Sequence, residues 1–487
     1  MSTTSTAATT ESVLPDGWEM VIGLEVHAEL ATASKMFSPA ANEFGAEPNT
    51  NIHPVCLGLP GTLPVVNEKA VELAARIGLA LGCTVQRCIW ARKNYFYPDM
   101  PKDYQISQFD RPLNIDGSVE LPSGFVVTIE RAHMEEDTGK STHMGESGRI
   151  HDAGYSLVDY NRAGVPLIEI VTGPDLRTPE QAKEYVQELH DILVTIEASD
   201  GKMEEGSMRV DANISVRPVG SDELRTRCEV KNVNSLRSMV RAIEYEAKRH
   251  VSLYESGEAP RQETRHWDEA AGRTRAGRSK ENEDDYRYFP DPDLVPIDPS
   301  AEWLDELRAS LPALPRERRA ALTDRGASME AAVVAVGRGV DALAVAAIDA
   351  GAAPARVLKH VEQNLAMDGA ETLDPTHFAE AVRMEADGEL SSTQTKQVLA
   401  EMVETGNDPA SIAAAHGFEA MDDSELETML DEIIADNADE WQRFCEGDQK
   451  VRGKLQGFFT GQIMRLTKGQ ADGKAVNKLL QQKSGAS

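Results

Sequence analysis

A chain of 487 residues exceeds one ordinary domain and is expected to hold two to four. Its 41% hydrophobic content suffices for real cores, yet no stretch approaches the ~20 apolar residues of a membrane span. A net charge of −31 argues against coating nucleic acid by bulk electrostatics, and five cysteines, few and odd in number, argue against a disulfide framework.

Residues 1–18 read as a disordered leader: Met1 to Thr10 is Ser/Thr/Ala-rich, with neither the basic region nor the apolar core of a signal or transit peptide. The protein is therefore expected in the cytoplasm, with no membrane partner. From Val21 to Leu30 the even positions Ile22, Leu24, Val26, Ala28 and Leu30 are apolar, while the odd positions present Gly23, Glu25, His27 and Glu29. Such alternation predicts a strand with one face on a core and the other available. Arg92-Lys93-Asn-Tyr-Phe-Tyr-Pro-Asp99 sets two cations ahead of an aromatic strand, and His133-Met-Glu-Glu-Asp137 supplies three consecutive carboxylates. Gly139-Lys140-Ser141 resembles the end of a P-loop. Met134 stands where the first glycine belongs, however, and the preceding acidic residues cannot cradle phosphate, so no Walker A motif is read.

Val165 to Val171 is an apolar run with Glu169 at its middle. A buried charge left unpaired costs about 3–5 kcal/mol, so this carboxylate needs a partner. A helix follows, with Thr178 as N-cap, Pro179 at its first position and an apolar stripe of Ala182, Tyr185, Val186, Leu189, Ile192, Leu193 and Ile196. The alternation returns at Arg209 to Arg217: Val210, Ala212, Ile214 and Val216 face inward, and Arg209, Asp211, Asn213, Ser215 and Arg217 face out. After a turn, Cys228 and Val230 face one way and Arg227, Glu229 and Lys231 the other, which predicts an antiparallel hairpin. A second helix runs from about Ser235 to Tyr254, with Gly257 as its stop.

All ten tyrosines and nineteen of the twenty-four prolines precede residue 300, and the text beyond is Ala/Glu/Leu/Asp-rich with helical periodicity. That shift marks a domain boundary near 298, after Phe289-Pro-Asp-Pro-Asp-Leu-Val-Pro296. Asp374-Pro375 and Asn407-Asp408-Pro409 signal helix starts, and Asp422 to Lys483 is expected to form a separate terminal bundle. From Lys450 to the C-terminus Lys450, Arg452, Lys454, Arg465, Lys468, Lys474, Lys478 and Lys483 face only Asp472, giving +7 there and −38 on the rest. A basic tail on an acidic body suits a limited polyanion contact, although a solvated helical face reads the same from charge alone.

Each polar strand face, taken singly, could be a solvated, ion-paired surface. Together the carboxylates and His27 suit Mg²⁺, which takes hard oxygen ligands around nucleotide phosphates, and the neighbouring Lys and Arg suit the phosphates. No G-x-G-x-x-G and no nucleophile elbow occurs, so the chain shows no glutaminase of its own.

Several segments are similar to a known family. Val21-Ile-Gly-Leu-Glu-Val-His27, Ser34-Lys-Met-Phe-Ser-Pro39, Arg92 to Asp99 and Tyr104-Gln-Ile-Ser-Gln-Phe-Asp110 resemble the B subunits of aspartyl/glutamyl-tRNA(Asn/Gln) amidotransferases. So do His133 to Asp137, Met203-Glu-Glu-Gly-Ser207, Asp285-Tyr-Arg-Tyr-Phe-Pro290, Gly461-Gln-Ile-Met464 and Lys468-Gly-Gln470, which extends the similarity over about 20–484. The resemblance implies an α+β chain: a glutamine-synthetase-like antiparallel-sheet cradle over 19–297, an all-α helical domain over 298–420, and a small helical tail over 421–487 that touches tRNA.

It also implies partners, a glutaminase A subunit and a small C subunit, and an activity. ATP phosphorylates the side-chain carboxylate of Glu-tRNA(Gln) or Asp-tRNA(Asn), and ammonia then displaces the phosphate. By motif match Glu25, His27, Glu136 and Glu169 fall at the family's Mg²⁺ site and Lys93 at its phosphate-side cation; Arg209, Asp211, Asn213, Glu229 and Lys231 join Lys93 as expected nucleotide-binding residues. Many relatives carry Cys-x-x-Cys where this chain has His53-Pro-Val-Cys56, so His53, Cys56, Cys83 and Cys88 form a candidate structural Zn²⁺ set, with plainly buried cysteines as the alternative. Two other readings compete: a tRNA-binding or assembly scaffold without catalysis, and a carboxylate–amine ligase acting on a small molecule.

Overall fold

A computed structural model describes residues 13–144, 153–277, 286–418, 423–467 and 473–484. Most of the expected leader lies outside these residues, as do Asp285 and Lys468-Gly-Gln470. The chain divides into two units, the first ending at Pro315 and the second beginning at Arg316.

In the first unit the strands are β1 (Trp18–Glu29), β2 (Thr84–Val85), β3 (Ala91–Asn94), β4 (Tyr104–Ser107), β5 (Asn114–Glu120), β6 (Val126–Glu136) and β7 (Lys140–Met144). They continue as β8 (Tyr155–Asp159), β9 (Pro166–Thr172), β10 (Met208–Pro218), β11 (Cys228–Val233), β12 (Thr264–Asp268), β13 (Arg273–Ala276) and β14 (Phe289–Pro290). Nine of them make one sheet in the order β13-β12-β11-β10-β1-β9-β6-β5-β2, every pair antiparallel except β11 with β12. Strands β14, β3 and β4 form a three-stranded sheet, and β7 pairs with β8.

The period-2 pattern sets the two faces of the large sheet. Ile22, Leu24, Val26, Ala28, Val210, Ala212, Ile214 and Val216 are all buried in one apolar cluster. The helices α1 (Glu68–Ala80), α2 (Pro179–Thr195) and α3 (Leu236–Glu255) supply the other side of that cluster through residues such as Leu73, Ile77, Val186, Leu189, Met239 and Ile243. Burying a Leu or Ile side chain is worth about 1.5–3 kcal/mol, so this cluster holds the sheet against its helices. The helix starts are those the sequence marks: the Thr178 hydroxyl accepts from the Gln181 N–H with Pro179 next in the chain, and Ser235 accepts from the Ser238 N–H. Gly257, at φ +81°, follows the end of α3, a conformation that costs glycine nothing.

The compositional change lies near 298, whereas the structural division falls at Pro315. Helix α4 (Ala301–Ser310) places Leu307, with Trp303, Leu304, Leu311 and Leu314, on the core of the first unit. The second unit is helical, with Asp374 and Asp408 capping the helices Pro375–Asp387 and Pro409–Ala415. One of its cores gathers Leu322, Leu343, Phe378, Val398 and Ile412; another gathers Leu426, Leu430, Phe459, Ile463 and Leu480.

Candidate active site on the polar face of the sheet

Register brings distant sequence motifs into rows on the sheet's other face. His27 of β1 stands opposite Arg209 of β10 and Glu169 of β9, and Glu169 stands opposite His133 of β6. In the next row Glu25 faces Asp211 and Val171, with Arg131 beyond. One row further, Glu29 and Glu135 flank Leu167. Because side chains alternate along each strand, these residues share one face.

His27 Nε2 lies 3.3 Å from Glu169 Oε2, 3.8 Å from Glu135 Oε1 and 3.9 Å from Glu25 Oε1. Glu169 also has Arg131 at 3.8 Å and the His133 ring at 3.7 Å, so the charge expected to need a partner has two cations, His27 and Arg131, beside a second imidazole. Lys231 pairs with Asp211 at 2.6 Å and Glu229 at 3.4 Å. Arg209 and Arg162 converge on Asp137 at 2.7 and 3.3 Å. The Asn213 side-chain carbonyl oxygen is buried with no hydrogen bond among the described residues.

The crowding separates neighbouring carboxylates. Burial, reinforced by Glu169, pushes Glu25 up to about 7, and burial with Asp137 does the same for Glu29. Burial and Glu169 also raise Glu135. Burial works against the charge of Glu169 too, but His133, His27 and Lys93 outweigh it and hold that carboxylate well below its usual range. For His27 burial is likewise overcome by the hydrogen bond and charge of Glu169, which lift it to about 9 and keep it imidazolium. Burial, together with the charges of Arg131, His27 and Lys93, prevails over the pull of Glu169 and lowers His133 to about 4, leaving it neutral.

Ligand atoms of His27, Glu135 and Glu169, and of Glu25, His27 and Asp211, lie within 4.8 Å of one another in each group. Carboxylate oxygens in this number fit a hard divalent cation, which would offset the burial and the Glu169 repulsion that raise Glu25 and Glu135. Glu136, expected in the set, is not brought to it. Its Oε1 accepts from the buried Lys102 ammonium and from the Ile106 N–H at 2.8 Å. Adjacent strand residues point to opposite faces, so Glu135 takes the place beside His27. Counting in twos from Arg131 through His133 finds it in the sequence.

The candidate zinc set is dispersed. His53 Nδ1 accepts from the Val55 N–H at 3.3 Å, and Cys56 Sγ lies 3.1 Å from Ser38 Oγ. Cys83 Sγ fills the space that a β-carbon on Gly117 would need, and Cys88 Sγ accepts from Gln108 Nε2 at 3.0 Å. Burial pushes the Cys83 and Cys88 thiols up to about 12 and 11. Among the described residues these four form no ligand group: Cys83 and Cys88 are packed into the apolar core of the first unit, and Cys56 is buried against the Ser38 hydroxyl outside that core.

The basic tail resolves into unlike members. Lys450, Lys454, Arg465 and Lys478 are exposed, Arg452 is half-buried and donates to the Cys445 carbonyl at 2.6 Å, and Lys483 pairs with Glu427 and Asp431 at 2.8 Å each. Lys468 and Asp472 lie outside the described residues, as does the side chain of Lys474.

A family model described as the GatB/GatE catalytic domain matches residues 20–305, and one described as the GatB domain matches 344–483. The chain is 47% identical to the B subunit of the aspartyl/glutamyl-tRNA(Asn/Gln) amidotransferase of Rhodococcus jostii (strain RHA1), over 95% of each chain. It is 46% identical to the protein of the same name from Thermobifida fusca (strain YX), over 97% of this chain and 95% of that one. With the Corynebacterium glutamicum (strain R) counterpart the identity is 45%, over 96% of both.

Proposed function

The chain belongs to the family of aspartyl/glutamyl-tRNA(Asn/Gln) amidotransferase B subunits, and on that premise we propose that its polar sheet face activates a tRNA-bound carboxylate with ATP. The observation that carries this reading is the convergence of Glu25, His27, Glu135, Glu169 and Asp211 on one face, flanked by Lys93, Arg131, Arg209 and Lys231. An ionised carboxylate is a poor electrophile. Transfer of the γ-phosphoryl group of ATP to a side-chain oxygen of Glu-tRNA(Gln) or Asp-tRNA(Asn) releases ADP and makes the carbonyl attackable. Ammonia then adds to that carbon, the C–O bond to phosphate breaks, and the amide remains.

Such a transfer calls for positioning and charge rather than a protein nucleophile. Glu25, Glu135, Glu169 and Asp211 would hold Mg²⁺, and the ion would neutralise charge on the phosphoryl oxygens; His27, expected among the ligands, would join them only on losing its proton. Lys93, Arg131 and Arg209 supply cations for the same oxygens, with Asn213, Glu229 and Lys231 completing the nucleotide side. The largely antiparallel sheet, with helices on one face and ionisable residues on the other, supports the glutamine-synthetase-like cradle that the resemblance implies.

Nitrogen comes from a partner glutaminase A subunit with a small C subunit, and the C-terminal tail carries the tRNA contact. The intact carboxylate set speaks against a scaffold that has lost catalysis. The deciding experiment is co-expression with candidate A and C subunits, followed by assay of amide formation on Glu-tRNA(Gln) and Asp-tRNA(Asn). Amide on neither tRNA from an assembled complex would overturn the reading; the pair of yields assigns the substrate.

A further inference from the structure

The segment after residue 285 lies along β3 and is tied to it repeatedly. Asn94 Nδ2 donates to the carbonyl oxygens of Tyr286 at 3.0 Å and Arg287 at 2.8 Å. Strand β14 sets Phe289 opposite Arg92 and Pro290 opposite Ala91, and Arg92 pairs with Asp291 at 2.6 Å and Asp293 at 2.8 Å. Arg287 takes a left-handed turn at φ +47°, and the Tyr286 and Tyr288 rings on either side of it meet edge to face at 6.1 Å. Tyr288 is stacked on Phe109 at 4.1 Å with the planes 9° apart. Held this way, the Tyr286 ring presents its face to Lys93, whose ammonium lies 4.8 Å from the ring centroid and within the fields of Glu135 and Glu169.

A ring face attracts an ammonium without taking up its N–H donors as a carboxylate would. We propose that Tyr286 is a positioning residue for phosphoryl transfer: its ring holds the Lys93 ammonium at the edge of the carboxylate set with N–H groups left for phosphate oxygens, and the latch of residues 286–293 onto β3 sets that ring. The inference rests on the reading of Lys93 as the phosphate-side cation. Tyr286 does no chemistry itself and acts through Lys93.

The test uses the assembled complex with its partner subunits. The dissociation constant for ATP with Mg²⁺ and the kcat of tRNA-dependent ATP cleavage are measured for Tyr286→Phe, Tyr286→Leu, Lys93→Met and the Lys93→Met/Tyr286→Leu pair. Tyr286→Leu is expected to lose roughly 3- to 30-fold in kcat or ATP affinity, the range one cation–π contact supplies, with glutamine hydrolysis and melting temperature held. Tyr286→Phe, which keeps the ring, recovers most of that loss, and the paired variant binds ATP no worse than Lys93→Met alone. Normal behaviour of Tyr286→Leu beside a crippled Lys93→Met would overturn the inference and leave the role of Lys93 standing. A further loss in the paired variant, or a loss that tracks a lowered melting temperature and is not recovered by Tyr286→Phe, would also overturn it. Normal ATP cleavage by Lys93→Met would remove Lys93 from the site and the inference with it.

Discussion

Glu135 and Glu136 are neighbours on β6 that serve opposite faces: Glu135 lies 3.8 Å from His27 Nε2, whereas Glu136 neutralises the buried Lys102 ammonium. The two Glu→Gln substitutions should therefore separate function from stability. Glu136→Gln leaves Lys102 buried without its counter-charge and is expected to cost about 3 kcal/mol, seen as a lowered denaturation midpoint. Glu135→Gln removes a repelled carboxylate, so stability should hold or rise while tRNA-dependent ATP cleavage falls by roughly 100-fold or more, as when one member of a charge-stabilising set is removed. The reverse pattern would place Glu136 at the chemistry.

Glu25→Gln and Glu169→Gln should each abolish tRNA-dependent ATP cleavage in the assembled complex, leaving glutamine hydrolysis by the partner largely intact. Glu169 is the strongly ionised member of the set and meets His27, His133 and Arg131, so its loss reaches furthest. Near-normal turnover by either variant at saturating Mg²⁺ removes that residue from the site.

Acid stability should carry the mark of Glu246, which is buried on α3. It accepts from His250 at 3.1 Å, Arg249 at 2.5 Å and Thr274 at 2.7 Å, with Arg265 at 3.4 Å. Burial opposes its charge, but the hydrogen bonds from His250 and Arg249 prevail and hold its pKa down at about 2, against 4.5 for an ordinary Glu. A depressed carboxylate adds stability that is full above its unfolded value and is lost as pH falls through the folded one. The contribution, about 3 kcal/mol, should disappear between pH 4.5 and 2. Denaturation midpoints of the wild type and Glu246→Gln should converge over that window. A constant gap would show that the charge of Glu246 is not what its partners stabilise.

The tail calls for point substitutions, since truncation after Asp448 would remove Leu455, Phe459 and Ile463 from its core. Neutralising Lys450, Lys454, Arg465 and Lys478 together should weaken tRNA binding and reduce the log–log salt slope by up to about 0.7–0.9 for each phosphate-bound cation removed. Lys483→Ala should leave the slope unchanged, because its ammonium already pairs with Glu427 and Asp431. Equal slopes for the four-fold variant and the wild type would make this a solvated face and return tRNA recognition to the sheet unit or the partners.

Strict alternation in Val21 to Leu30 and Arg209 to Arg217, and the caps at Thr178, Ser235, Asp374 and Asp408, are local properties of the chain, and the sequence by itself determined them. Side-chain period and capping chemistry need no distant partner. It also determined that Glu169, set in the middle of an apolar run, had to find company, because buried charge demands it. Which company was a matter of register, and register is tertiary. Period two from Arg131 and His133 already puts Glu135 rather than Glu136 on the polar face, and the pairing of β6 with β9 decides that Glu169 is the residue it meets there, since a one-residue step reverses the face. The fate of the cysteines was tertiary as well: spacing can propose a ligand set, but only packing reveals that the Cys56, Cys83 and Cys88 thiols meet Ser38, Gly117 and Gln108 rather than one another. Tyr286 lies far beyond Lys93 in the chain, and no local pattern could announce that a ring would meet that ammonium.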